Sequence, residues 1–171
     1  MLRKRYVVAL VALVLVGIAF FAVPLWGTRL TEIDVSSGRV RERVLVLGIT
    51  VRQTARDTAF SRLVSKYVHD IPSPNYKPAF VGDVGLKRLW AEWVWGREFM
   101  CYRYGSAMGP MRMLPELLEA AHLGSDREAE IVTRMLTALR EKRFPDMGQC
   151  VADVLAVLES QDGESGGLSR D

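Results

Sequence analysis

The pattern of apolar and polar positions changes character along this chain. Between Tyr6 and Trp26 there is no charged residue at all. From Thr28 to Gln53 apolar residues alternate with polar ones or run in β-branched clusters, and beyond Asp57 they recur at helical spacing. As a helix, the first stretch would be about 30 Å long, which matches the hydrocarbon core of a bilayer. Arg3, Lys4 and Arg5 precede it, while Pro24 and Trp26 stand where a helix would meet the headgroups. Gly17-Ile18-Ala19 has the small-x-small spacing of a signal-peptidase site, yet the apolar run continues beyond it, and Phe20 is too large for the position three residues before a cut at Ala22. No cysteine precedes Cys101, so a lipoprotein anchor is excluded. The expectation is an uncleaved signal anchor over residues 1–27. Its dense basic flank stays in the cytoplasm and the rest of the chain lies outside, although Arg29, Arg39, Arg41 and Arg43 weaken the asymmetry.

After the anchor, Thr31, Ile33 and Val35 alternate with Leu30, Glu32 and Asp34, which predicts a strand over Thr28–Ser36. Ser36-Ser37-Gly38 is a turn signal with glycine at a left-handed position. A long second strand over Val40–Gln53 follows, with Arg39, Arg41 and Arg43 on one face and Val40, Glu42 and Val44 on the other. Its apolar middle, Val44–Val51, reads as covered on both sides, and Gly48 as a bulge or a close contact. Asp57 can cap a helix that carries Phe60, Leu63, Val64, Tyr67 and Val68 on one face. Pro72, Pro74 and Pro78 predict a stiff loop. Further helices are predicted over Asp83–Trp95, over Met111–Leu123, from a Ser125–Glu128 capping box onward, and from Pro145 with Cys150, Val151, Val154, Leu155 and Leu158 inward. Phe99–Tyr104 is ambiguous, and 161–171 reads as a disordered tail. The expected architecture is α+β: a transmembrane helix, then a β-hairpin or small antiparallel sheet followed by about four helices, with the domain over residues 28–160.

Charge modifies this picture only locally. The 171 residues carry 23 basic and 20 acidic side chains. The three basic residues before the apolar run account for the whole excess, so the domain is neutral. It is polarised along the chain, with 14 basic and 8 acidic residues in 29–112 and 6 and 12 in 113–171. Dispersed arginines on a neutral domain argue against nucleic-acid binding, which needs a basic stripe interleaved with stacking aromatics. Cys101 and Cys150 in an oxidising compartment permit one disulfide; two buried thiols fit the sequence as well.

Catalytic signatures are absent. His69 and His122 have no metal-ligand spacing with each other or with the cysteines, and Gly105–Gly109 lacks the Gly-x-Ser-x-Gly order. No phosphate-binding glycine loop occurs, and no cofactor is expected. Met108, Met111 and Met113 have the spacing of soft Cu(I) ligands, although Arg112 among them would repel a cation and core packing is the commoner use of methionine. Trp90, Trp93 and Trp95, together with Arg39, Arg41 and Arg43, are the candidate interaction surface. The functional expectation is a single-pass, non-catalytic accessory or interaction protein of a cell envelope, partnered by the lipid bilayer and an envelope protein. Copper handling and an enzyme with a dispersed site are the alternatives.

Overall fold

A computed structural model describes residues 2–22, 27–47, 49–82, 89, 93 and 104–166. Its elements are α1 (Leu2–Ala22), β1 (Thr28–Asp34), β2 (Val40–Val46), β3 (Ile49–Arg56), α2 (Ala59–Tyr67), β4 (Tyr76–Gly82), α3 (Tyr104–Ala121), α4 (Ser125–Arg140) and α5 (Phe144–Gly166). The strands form one antiparallel sheet in the order β3-β2-β1-β4. The α+β expectation therefore holds.

The predicted hairpin forms around Gly38, whose φ of +72° suits glycine. A β-carbon there would lie 2.5 Å from Phe60 Cδ1, so the position also needs glycine for space. The Asp34 carboxylate stitches this turn. Its Oδ1 accepts from the backbone N–H of Ser36 (3.0 Å) and of Asn75 (2.7 Å), and its Oδ2 from the Ser37 hydroxyl. The long strand predicted over Val40–Gln53 is instead two strands. Val46 pairs with Ile49, which leaves a two-residue connection in which Leu47 has φ +56°. Such short hairpin loops favour positive φ. The apolar run is consequently not a covered strand: Leu47, Ile49 and Val51 are 60%, 67% and 59% exposed. Gly48 lies outside the described residues.

The strand β4 is masked in the sequence by Pro78. Proline removes a ladder donor and is tolerated only at edges and bulges; β4 is an edge strand, and its pairing with β1 shifts register beside Pro78. Helix α2 starts one residue later than expected. Thr58 is its N-cap and exchanges hydrogen bonds with Ser61, while Asp57 pairs with Arg39 at 2.7 Å. Helix α3 is longer than predicted and contains both Pro110 and Pro115. Its buried stripe of Tyr104, Ala107, Met111, Leu114, Leu118 and Ala121 keeps helical period through both prolines, so packing overrides the lost backbone bonds. The expected capping box at Ser125 does not form. Gly124 is the N-cap, and Glu128 is drawn to the Tyr67 hydroxyl of α2. Cys150, Val151 and Val154 of α5 are buried as predicted, and the helix continues past Gln161 to Gly166 instead of ending in a tail there. The helix predicted over Asp83–Trp95 lies outside the described residues except for Leu89 and Trp93, both helical and exposed.

Ile33, Val35 and Val40 join Phe60 and Val64 of α2, the stripe of α3, and residues Ile131 to Val154 of α4 and α5 in one core. None of the described side chains of α1 takes part in it. From Tyr6 to Ala19 its side chains are exposed apart from the half-buried Gly17, and it has no polar face. Among the described residues no helix is long and apolar enough to cross a membrane. The described side chains of α1 run from Arg5 to Ala19, about 22 Å of helix; the expected span reached Trp26, through residues 23–26 outside the described set. The transmembrane part of the expected architecture is thus unsupported by the fold, although the apolar run is helical from Tyr6 to Ala22.

Candidate functional site

Alternation along the strands sorts the sheet into two faces. One carries Leu30, Glu32, Leu45 and Val81, all buried. Glu32, 5% exposed, sits between two arginines: Arg41 Nε donates to it at 2.6 Å and Arg43 Nη1 at 3.3 Å. Arg43 also donates to Thr50 Oγ1, and the Arg41 guanidinium stacks 3.7 Å from the Tyr76 ring centroid. Two of the three arginines expected at an interaction surface are therefore spent inside the sheet. The third, Arg39, forms the exposed ion pair with Asp57.

The other face is divided along its length. At the Gly38 end Ile33 and Val40 enter the core. Toward the β2–β3 hairpin the same face continues as Arg29, Thr31, Glu42, Val44, Arg52, Thr54 and Phe80, which line an open groove of about 540 Å³. Glu42 pairs with Arg56 at 3.0 Å. Arg29 and Arg52 are exposed and form no ion pair among the described residues. Phe80 is 56% exposed, and Leu47, Ile49 and Val51 extend the apolar surface past the groove's end. Exposed apolar side chains are thus grouped here beside cations that form no ion pair among the described residues. Among the described residues the groove's lining offers the hydroxyls of Thr31 and Thr54, the Glu42 carboxylate and guanidinium groups beside apolar side chains. Its chemistry is to hold apolar and anionic groups side by side.

The methionines do not converge. On α3, Met108 is half-buried, Met111 buried and Met113 47% exposed. At about 100° per residue Met113 points roughly opposite Met111, so three thioethers cannot close on one ion from this helix. Met108 and Met111 instead border a cleft of about 610 Å³ with Val40, Asp57 and Glu116. Cys150 is a fully buried free thiol whose sulfur accepts from Arg134 Nε at 3.3 Å. Arg134 also donates to Asp153, and with a bond from Gln149 this holds the Asp153 carboxyl below its ordinary value. Cys101, Trp90 and Trp95 lie outside the described residues, while Trp93 is 71% exposed. His69 and His122 are both on the surface.

Arg29, Arg52, Phe80 and the hairpin tip do not stand out in the sequence pattern. The signal that could have found the tip is Leu47-Gly48 between two β-branched runs, which marks a hairpin; the turn moves Ile49 and Thr50 to the faces opposite to those of an unbroken strand, and the register shift at Val51 returns Arg52 and Gln53 to them. No protein-family model matches this chain, and no curated protein or solved structure matches it either.

Proposed function

We propose that this is a membrane-anchored, non-catalytic accessory or interaction protein of a cell envelope, with α1 as its single-pass anchor, Arg3, Lys4 and Arg5 in the cytoplasm, and the α+β domain outside. The observation that carries the reading is that α1 has no polar face from Tyr6 onward, yet its described side chains are exposed apart from Gly17. A helix of that kind is stable only inside a large core or inside lipid. Leu10, Leu13, Val14 and Val16 are 64%, 73%, 51% and 69% exposed, a surface water does not tolerate over several turns. The absence of a charge from Tyr6 to Trp26 supports a span that continues past α1. The interaction part is supported by the open groove, where the exposed Phe80 stands beside Arg29 and Arg52.

Carbonate washing of membranes tests the anchor. The parent chain is expected to stay in the pellet, and Leu13→Arg with Val14→Arg to be released or degraded, since each central charge costs about 2.5–3.5 kcal/mol on insertion scales. A parent chain found in the supernatant sinks the proposal. Protease added to spheroplasts tests orientation: loss of the domain with cytoplasmic markers intact is expected, and protection until lysis reverses the topology.

A further inference from the structure

We propose that the β2–β3 hairpin tip is a membrane-docking element: Leu47, Ile49 and Val51 enter the headgroup region of the bilayer that holds α1, and Arg29 and Arg52 meet anionic lipid. The domain would then lie on the membrane instead of hanging from it. This inference rests on the anchor reading above.

Strand register is the first support. Thr28, the residue at which the chain arrives from α1, pairs with Leu45, the last pair of β2 and β3 is Val46 with Ile49, and Arg29 pairs with Gly82. Leu47 therefore lies just beyond the end of the sheet where the chain enters from α1. Chain length is the second. Between Ala22, the last residue of α1, and Thr28, an extended chain spans at most about 20 Å, so an embedded α1 holds this sheet end within that distance of the lipid.

The two sheet ends also differ in kind. The entry end displays Leu47, Ile49, Val51 and Phe80, each more than half exposed, beside the unpaired Arg29 and Arg52. The opposite end is the polar turn of Asp34, Ser36 and Ser37 with the Arg39–Asp57 ion pair. Apolar tips flanked by arginine suit an interface in which side chains reach the acyl boundary and guanidinium groups stay with phosphate.

Hydroxyl-radical footprinting of the unmodified full chain, one copy per nanodisc containing phosphatidylglycerol, tests the docking. Leu47 is 60% exposed and Leu155 of α5 is 38% exposed, so without lipid contact Leu47 should be the more oxidised. Docking reverses that order, and Ile49 is protected with Leu47. Replacing Arg29 and Arg52 together by Gln should shrink the protection in anionic discs toward that in neutral phosphatidylcholine discs. Leu47 more oxidised than Leu155, with Leu10 to Val16 protected, overturns the docking and leaves the anchor standing. Oxidation of Leu10 to Val16 as strong as that of Leu155 overturns both. Protection of Leu47 only when two copies share a disc assigns the tip to self-association and overturns the lipid contact.

Discussion

The same sheet face behaves in opposite ways at its two ends. Near Gly38, Ile33 and Val40 are essentially inaccessible, and the turn is so close to α2 that Gly38 has no room for a β-carbon. Toward the β2–β3 hairpin, Val44 is half-buried, Phe80 is more than half exposed, and the groove between the strands stays open. On this face both ends carry β-branched residues, Ile33 and Val40 at one and Val44 at the other, so residue type alone does not separate core from surface. What separates them is the placement of α2 and α3. A sheet face is core where a helix lies on it and surface where none does. The helix-packed end is constrained by shape, whereas the open end is free to be shaped by what it meets.

The sharpest way to break this contrast is Gly38→Ala. The new methyl meets Phe60 and the backbone sits at positive φ. A loss of about 2–4 kcal/mol in denaturant unfolding is expected from overpacking and strain together. A loss below about 0.5 kcal/mol would show that the packed end yields to an added methyl as a surface would.

Glu32→Ala probes the buried ion cluster on the opposite face. It leaves Arg41 and Arg43, whose side chains are 21% and 28% exposed, without their carboxylate. Breaking a fully buried pair costs about 3–5 kcal/mol; partial exposure lowers this to about 2 kcal/mol. Glu32→Gln should recover part of the loss by keeping an acceptor for Arg41.

Phe80→Ser sharpens the comparison from the open end. A residue this exposed contributes little to the fold, so stability should change by about 0.5 kcal/mol or less. A loss comparable to that of Gly38→Ala would mean that the groove is covered in the isolated chain.

The smallest effect is a pH dependence at Asp153, far from both sheet ends. Its carboxyl is depressed below its ordinary 3.8 by the bonds from Arg134 and Gln149. A depressed group stabilises the fold above its unfolded pKa, and that contribution fades as pH falls through the folded value. Asp153→Asn should therefore be slightly less stable than the parent at pH 7. The gap, a few tenths of a kcal/mol for so exposed a pair, should close below pH 3.8. A gap that widens on acidification would show that the carboxylate destabilises the fold.

Several elements are legible in the amino-acid sequence because short-range patterning specifies them. The first strand, the turn at Gly38, the helix after Asp57 and the last two helices rest on alternation, helical spacing and a glycine that only one backbone shape requires. The departures from pattern share one cause. Pro78 argues against a strand and Pro110 against a helix, and in each case a neighbour supplies what local chemistry withholds: an edge position for β4 and a continuous buried stripe for α3. At Leu47-Gly48 the apolar run imitates an unbroken strand, and that reading assigns Ile49 and Thr50 to the wrong faces until the bulge at Val51 restores the alternation.

The sequence by itself determined the charge-free helical run at the amino end, the α+β class and most of the residues able to form a core, because these depend on composition and period alone. Only tertiary structure decided which arginines are free. Arg41 and Arg43 are consumed by Glu32 from the neighbouring strand, while Arg29 and Arg52 stay unpaired among the described residues because their register places no carboxylate opposite them. Whether a charge or an apolar side chain can act as a surface depends on what lies across the sheet, and strand pairing over long sequence separation sets that.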